Sequence, residues 1–169
     1  MATSVRQLIV IESLRLYPIY FDTDDELQES TKQSPGDEDR KYANELFALV
    51  NIPEITYKKF PSQVSGGEAQ RAGIVRAVIN KPKILFADEP TGALNSNNST
   101  AVLDVFTKLH GAGQSIIMVT HDKKTALRGN RVLYVKDGKI YGECDLGVYT
   151  NDSKERETKL NNFLTEMGW

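Results

Sequence analysis

The sequence predicts an α/β domain with a parallel sheet core, a helical subdomain before it, and a β-hairpin and helix after it. Two short apolar runs, residues 84–87 and 115–120, flank a helical pattern over residues 101–109. A strand, a helix and a strand of these lengths are typical of a βαβ unit, whose parallel sheet is covered on both faces. Further along, Asp137-Gly138 separates two more apolar runs. Because Asp-Gly adopts the positive φ angles of a hairpin turn, it predicts a hairpin there.

The part of the chain before this unit is predicted to be mainly helical. Apolar residues within 5–16 predict a short helix. Residues 22–40 are rich in acidic side chains and turn formers, which favours a solvated connector. Residues 42–50 then show helical spacing, and residues 65–79 predict a longer helix that Pro82 ends.

The carboxyl-terminal part is predicted to be a hairpin followed by an amphipathic helix. The hairpin strands lie at residues 131–135 and 139–142, and the helix begins near Asp152 or Ser153. This order divides the chain into a helical subdomain (residues 1–82), an α/β core (83–150) and a carboxyl-terminal helix (151–169).

Composition limits the function classes. The chain has 169 residues, 21 Lys and Arg against 23 Asp and Glu, a net charge of -2 and one cysteine, Cys144. These values are typical of one globular domain without the basic field that binds nucleic acid or anionic lipid. A disulfide within the chain is excluded, zinc is disfavoured, and a reducing compartment is expected. Since no apolar run approaches about 18 residues, we expect neither a membrane span nor a signal peptide.

The segment Ser65-Gly66-Gly67-Glu68 has the pattern of a capping box at the start of a helix. Its two glycines remove side chains beside exposed amides at the positive end of that helix, so a phosphate could approach the backbone. The alternative is a helix cap without a ligand, and the motif taken alone favours that alternative.

Polar residues follow both apolar runs of the predicted sheet. Asp88 and Glu89 follow the first run and His121 follows the second, so a parallel sheet would place all three at one edge. Asp88 could hold a hydrated Mg²⁺, and Glu89 could polarise a water for attack on a terminal phosphate. The alternatives are a strand that ends in solvated acids and a structural histidine.

Four segments together resemble, in order and spacing, the motif set of the ABC ATPases. They are residues 64–68, 84–90, 92–95 and 120–122, which match the signature motif, the Walker B strand with its catalytic glutamate, the D-loop and the switch histidine. The resemblance implies a truncated P-loop NTPase fold, with ATP and Mg²⁺ as cofactors. It implies that Glu89 activates the attacking water, His121 contacts the terminal phosphate and Asp88 holds Mg²⁺. It also implies that the opposite domain's ATP is served by Ser65, Gly66, Gly67 and Glu68, and that Asn95 belongs to the D-loop.

Residues 89–96 and the tail 162–169 resemble a subgroup, the bacterial macrolide and bacitracin exporters that handle antimicrobial peptides or lipids. Three positions depart from the family pattern. Val64 and Glu68 replace the commoner Leu and Gln, and Asn95 replaces a common Asp. Asn95 can still form hydrogen bonds but brings no charge.

The phosphate-binding loop of the family is missing. No Gly-x-x-x-x-Gly-Lys-Ser/Thr occurs, since the one Gly-Lys pair, Gly138-Lys139, precedes Ile140 in the hairpin. Without that loop the acids would face a triphosphate with little to offset its charge, so we expect this chain alone to be inactive. In the family the loop's strand lies beside the strand that ends at His121. We therefore expect an unpaired strand edge there, with a dimer or a swapped arrangement as its consequence.

The function that the resemblance implies is an ATP-binding and ATP-hydrolysing subunit of an ABC transporter, a bacterial antimicrobial-peptide or lipid exporter. Its implied partners are a second ATP-binding domain, as a homodimer, and transmembrane permease subunits. These partners imply a cytoplasmic location at the inner face of the membrane, with no direct insertion. One alternative is a non-catalytic regulatory or assembly half that pairs with an intact ABC ATPase. Another, a DNA-repair ABC ATPase fragment, is disfavoured by the net charge of -2 and the absence of heptads.

Overall fold

Within the part of the chain that the structure describes, five strands form one sheet. They are β1 (Arg6–Glu12), β2 (Ile84–Asp88), β3 (Ser115–Thr120), β4 (Arg131–Lys136) and β5 (Lys139–Asp145), in the order β2-β3-β1-β4-β5. The structure is a computed structural model that describes residues 6–12, 37–92, 94–150 and 154–169.

The helices confirm most of the predicted helical segments. They are α1 (Asp37–Leu49), α2 (Gly66–Val78), α3 (Ser96–Gly111), α4 (Lys123–Ala126) and α5 (Lys154–Glu166), with short 3₁₀ helices at Glu54–Lys58 and Pro61–Gln63. The predicted connector lies largely outside the described residues, although its last part, from Asp37, belongs to α1. The predicted start of the last helix also lies outside them, and α5 is described from Lys154. None of the described helices is long and apolar enough to cross a membrane.

Local sequence patterns account for the βαβ unit and the hairpin. Strands β2 and β3 are parallel, with Leu85 opposite Ile116, and α3 connects them along the chain. Strands β4 and β5 are antiparallel, and the turn between them has positive φ at Asp137 (49°) and Gly138 (76°). The parallel βαβ unit and the hairpin are both confirmed. The expected cover on both faces of the sheet is not, because Phe86 of β2 is 67% exposed among the described residues.

Strand β1 corrects two expectations. Residues 6–12 were expected to be helical, but they form a strand between β3 and β4 and run antiparallel to both, with Leu8 opposite Thr120 and Tyr134. Leu8 and Val10 are fully buried whereas Ile9 is half-buried, which is the alternation of a strand. The sheet is therefore mixed rather than wholly parallel, and the expected unpaired edge of β3 is occupied. The remaining residues of the predicted helix, 13–16, lie outside the described part.

The main core lies on one face of this sheet. Its fully buried apolar residues are Leu8, Val10, Val50, Val102, Val105, Ile116, Met118, Ala126 and Val132. Helix α3 packs on β3, α4 on β1 and α5 on β5. Strand β1 thus belongs to the sheet, although its residues fall in the range 1–82 that was predicted to be a helical subdomain.

Candidate functional site

The carboxyl ends of β2 and β3 lie at the same edge of the sheet. Glu89 directly follows β2, and its backbone N–H donates a hydrogen bond to the Val119 carbonyl of β3 at 2.9 Å. His121 follows β3 directly. The Nδ1 atom of His121 lies 2.6 Å from Glu89 Oε1, so two of the predicted site residues are in direct contact.

The backbone at Glu89 is sharply turned. Its φ of 42° lies in the left-handed region that residues with a Cβ rarely adopt. The turn closes when the Gly92 N–H donates to the Glu89 carbonyl at 3.1 Å, and Pro90 and Thr91 are buried beneath it. Such strain costs about 1–3 kcal/mol and is typical of functional sites. Here it accompanies the close contact between Glu89 and His121.

The carboxylate of Glu89 contacts two residues at the end of β3, Thr120 and His121. Oε1 contacts His121, and Oε2 accepts a hydrogen bond from the Thr120 hydroxyl at 3.3 Å. The His121 side chain is 70% exposed and that of Glu89 is 33% exposed, so water reaches both. The hydrogen bond from His121 to Glu89, aided by the negative charge of that carboxylate, raises the pKa of His121 above its ordinary value of 6.5.

Removing the negative charge of Glu89 is expected to lower the pKa of His121. The pKa of His121 is higher in the folded protein than its value of about 6.5 in the unfolded chain. The Glu89–His121 pair therefore stabilises the folded protein fully at pH values below about 6.5, and this stabilisation is lost as the pH rises through the folded-state pKa of His121. Glu89→Gln should return the pKa to near its ordinary value and remove this pH dependence of stability. A histidine-resolved NMR titration measures the pKa, and His110 serves as the internal control. An unchanged His121 pKa in the variant would show that the two side chains do not interact in solution.

A set of hydrogen bonds among neighbouring polar residues supports the contact between Glu89 and His121. The Thr120 hydroxyl accepts from the Asp122 N–H at 3.0 Å, and Asp122 Oδ2 accepts from both the N–H and the hydroxyl of Thr125 at 2.9 Å. The buried hydroxyls of Thr125 and Thr91 lie 3.2 Å apart. Thr120, Asp122 and Thr91 lie in segments that the sequence analysis singled out, but Thr125 was missed, although Asp122 three positions before it is a helix-cap signal that could have found it.

Asp88 is the predicted metal ligand. It lies exposed at the end of β2, directly before Glu89. Among the described residues, no group of three or more histidine, cysteine or acidic side chains could hold a metal ion. Mg²⁺ is usually held by one or two carboxylates together with phosphate oxygens and water. Asp88 therefore fits that arrangement as a single protein ligand.

The predicted signature segment forms the start of α2. The Ser65 hydroxyl accepts from the Glu68 N–H at 3.2 Å, and Glu68 Oε2 accepts from the Ser65 N–H at 2.8 Å, which confirms the capping box. The hydrogen bond that the Ser65 backbone N–H donates to the Glu68 carboxylate, together with the nearby Ser65 side chain, lowers the pKa of Glu68. Gly67 is buried, and a Cβ at this position would come within about 3 Å of the Asn98 side chain. A larger residue at Gly67 would have to displace the Asn98 side chain, so packing alone favours glycine at this position.

Asn95 caps α3 and lies close to the start of α2. Its Oδ1 accepts from the Asn98 N–H at 3.0 Å, and the Leu94 side chain lies beside Gly66. The predicted residues therefore form two groups, one at the sheet edge and one where α2 and α3 begin. Within the described residues, no hydrogen bond or ion pair links Ser65 or Glu68 to Glu89.

Comparison with known proteins gives one family. The family model described as ABC transporter matches residues 5–92. The lipoprotein-releasing system ATP-binding protein LolD of Aquifex aeolicus is 52% identical over 109 residues, which are 64% of this chain and 48% of that protein. The macrolide export ATP-binding/permease protein MacB of Hyphomonas neptunium is 42% identical over 106 residues, 63% of this chain and 16% of that protein.

Solved structures give the same family. The dimeric post-hydrolysis structure of the ATP-binding cassette MJ0796, bound to ADP and Pi, is 35% identical and superposes with a TM-score of 0.58. The superposition covers 70% of this chain and 52% of the chain in the solved structure. The protein of that name in Methanocaldococcus jannaschii is 38% identical over 129 residues. This chain spans less than half the length of each of these three curated relatives.

Proposed function

This chain belongs to the ABC transporter family, and we propose that it provides the carboxyl-terminal half of an ATP-hydrolysing domain in a bacterial exporter. The observation that carries the proposal is the 2.6 Å contact between Glu89 and His121 at the carboxyl edge of β2 and β3. In open α/β sheets this edge is where ligands bind. We base the proposed reaction, ATP hydrolysis, on membership of the family, and we base the choice of Glu89 and His121 on their position at the sheet edge.

Each residue of the edge has a proposed task in hydrolysis. Glu89 accepts a proton from the water that attacks the terminal phosphate, while His121 orients the Glu89 carboxylate and donates toward the phosphate. Thr120 holds the second oxygen of that carboxylate. Asp88 would hold Mg²⁺, which would offset the negative charge of the triphosphate.

The group at the start of α2 has a different proposed task. Among the described residues, no hydrogen bond or ion pair links Ser65 or Glu68 to Glu89, and we propose that Ser65, Gly66, Gly67 and Glu68 serve ATP held by a second ATP-binding domain. Asn95 would connect the two sites across that dimer. The dimeric structure of the similar cassette MJ0796 supports this arrangement. We also propose a permease partner that holds the assembly at the inner face of the cell membrane, and an antimicrobial peptide or lipid as the exported class, because relatives are named for macrolide export and lipoprotein release.

The chain alone is expected to show no measurable binding of Mg-ATP. This sequence contains no Gly-x-x-x-x-Gly-Lys-Ser/Thr, the loop whose backbone amides and lysine would offset the charge of a triphosphate beside Asp88 and Glu89. Calorimetric titration should therefore give a Kd weaker than about 1 mM. Binding in the micromolar range would show that the chain completes a site by itself. Titration of the joined chain described next is the positive control.

Joining the missing half to this chain tests the proposed function. The part of the Aquifex LolD relative that precedes its matched segment would be fused to this chain, and phosphate release from ATP would be measured. Hydrolysis that depends on Glu89 supports the proposal. A folded fusion that binds Mg-ATP without hydrolysing it would contradict the proposal and favour the regulatory or assembly role. The DNA-repair alternative is set aside, since the family model and the relatives are those of transporters.

A further inference from the structure

We propose that Arg156 is a positioning residue for the contact between Glu89 and His121, and that it acts by fixing the end of the short helix α4. Arg156 thereby makes the geometry of this contact depend on where the carboxyl-terminal helix α5 lies. This role rests on the proposed function, because it concerns the control of the same site. Its support comes from the exposure of His121, from the hydrogen bonds that hold α4, and from the burial of Arg156.

The His121 side chain depends on the backbone that carries it. This side chain is 70% exposed, and within the described part of the chain its hydrogen bond is the 2.6 Å contact with Glu89. A side chain with so little packing of its own is held in place by the residues that support its backbone. That backbone leads directly into α4, since His121 precedes Asp122, the residue that caps the helix.

Helix α4 is a single turn, so contacts with the rest of the fold decide its position. A helix of one turn is not stable by itself, because nucleation is costly. At the start of α4, Asp122 Oδ2 accepts hydrogen bonds from the N–H and the hydroxyl of Thr125, and that hydroxyl lies 3.2 Å from the hydroxyl of Thr91. The start of the turn is therefore held by the segment that follows Glu89.

Arg156 holds the other end of α4. Its Nε donates to the Leu127 carbonyl at 2.7 Å, and its Nη2 donates to the Gly129 carbonyl. Gly129 is also confined by β1, because a Cβ added to this glycine would overlap the Val10 side chain. The end of α4 is thus fixed both by β1 and by the guanidinium of Arg156.

Arg156 is itself firmly placed. It is buried, and its Nη1 donates to the carbonyls of Leu146 at 2.7 Å and Gly147 at 3.1 Å, just after β5. Helix α5, which carries it, is anchored in the core by the buried side chains of Leu160 and Leu164. Because the guanidinium is planar and rigid, it holds the carbonyls after α4 and after β5 in a fixed relation. A movement of α5 therefore moves the end of α4.

Arg156 and His121 line the same cavity, which has a volume of about 510 Å³. Glu89 and Tyr149 line it as well. Because the two residues meet open space here rather than each other, the connection between them runs along α4. The same space allows the imidazole of His121 to turn away from Glu89 when α4 shifts.

The test compares two changes in α5 within the full chain. Arg156→Lys keeps the charge but lacks the planar fork of donors, so hydrogen bonds to the Leu127 and Gly129 carbonyls are lost. Leu164→Ala opens a cavity in the core beside the same helix and leaves those hydrogen bonds in place. Side-chain nitrogen NMR of His121 reports whether Nδ1 carries the proton that it donates to Glu89.

We expect Arg156→Lys to shift the Nδ1 resonance of His121 toward that of a histidine free in solution, and Leu164→Ala to leave it unchanged. An unchanged resonance in Arg156→Lys would overturn the proposal. An equal shift in Leu164→Ala would also overturn it, because any loss of stability would then move His121.

Two exposed positions of α5 provide a second comparison, which decides the matter if Arg156→Lys does not fold. Asn161 Oδ1 accepts from Lys123 Nζ of α4 at 3.3 Å, whereas Asn162 has no such hydrogen bond among the described residues. Asn161→Ala should shift the His121 resonance in the same direction by a smaller amount, and Asn162→Ala should not shift it. With Arg156→Lys unfolded, equal resonances in these two variants would overturn the proposal.

Kinetics of the fused domain give a second readout. Arg156→Lys should lower kcat about tenfold and leave KM within about twofold of the parent, because a misplaced catalytic side chain slows the chemical step more than it weakens binding. Leu164→Ala should leave both constants unchanged. If the fused parent hydrolyses ATP and Arg156→Lys raises KM alone, the positioning role is contradicted.

The outcomes separate this role from the proposed function. A shifted His121 resonance in Arg156→Lys, with a fused domain that does not hydrolyse ATP, would sustain the positioning role and contradict the proposed function. Hydrolysis by the fused domain, with both kcat and the His121 resonance unaffected by Arg156→Lys, would do the reverse.

Discussion

Replacing Glu89 with glutamine is expected to slow ATP hydrolysis by the fused domain about 10²–10⁴-fold. Glutamine keeps the size of the side chain and can still form a hydrogen bond with His121, but it cannot accept the proton of the attacking water. The binding of Mg-ATP should be unchanged or slightly tighter, because one negative charge leaves the site edge. Single-turnover phosphate release measures the chemical step, and calorimetry measures binding.

A matched control separates this effect from a general loss of charge. Glu45→Gln makes the same substitution at an exposed position of α1 and should leave hydrolysis unchanged. Hydrolysis by Glu89→Gln within about tenfold of the parent would show that another group activates the water. His121→Ala should also slow hydrolysis, and it should weaken the effect of a second change at Glu89 because the two side chains act as a pair.

Replacing Arg156 with methionine is expected to lower the free energy of unfolding by about 3–5 kcal/mol, because several carbonyls lose a charged donor at a cost of about 1–3 kcal/mol each. Arg156 of α5 is only 6% exposed, and its guanidinium lies 5.5 Å from the Tyr149 ring. It donates hydrogen bonds to the carbonyl oxygens of Leu127, Gly129, Leu146, Gly147 and Val148. Methionine keeps an unbranched stem but leaves those carbonyls without their charged donor.

These carbonyls belong to different parts of the fold, so the effect should spread beyond α5. They follow α4 and β5, and Arg156 thereby connects the helix after the hairpin to the segment that supports His121. Urea unfolding measures the loss. Arg156→Lys should recover part of it, since lysine keeps the charge but lacks the planar fork of donors. Lys159→Met, at an exposed position of the same helix, is the control, and a loss below about 1 kcal/mol at Arg156 would contradict this account.

The sequence predicted the elements whose signals are local. Asp137-Gly138 predicted the hairpin because its turn needs positive φ at both positions, and both positions have it. The Ser65 and Glu68 pair predicted the start of α2 because the hydrogen bonds that cap a helix lie within four residues. Even the proximity of Glu89 and His121 was predictable, because parallel strands end at a common edge.

The sequence did not predict β1, because nothing within residues 6–12 specifies its partners. A short apolar run suits a helix or a strand equally well, and its own period is a weak signal. The backbone N–H and C=O groups along the facing edges of β3 and β4 need hydrogen-bond partners. These groups are paired when residues 6–12 form a strand between β3 and β4, and this pairing favours the strand over a helix. Arg156 was missed for a related reason, because the carbonyls that it binds are distant in sequence.

The family, the βαβ unit, the hairpin and the residues that meet at the sheet edge could all be inferred from residue patterns alone. The physical reason is that caps, turns and strand ends depend on contacts between near neighbours, which a residue pattern records. The direction of β1, the mixed sheet, the exposure of Phe86 and the burial of Arg156 became known from the three-dimensional structure. These features depend on pairing between segments far apart in the chain, where backbone hydrogen bonds and buried surface outweigh local preference.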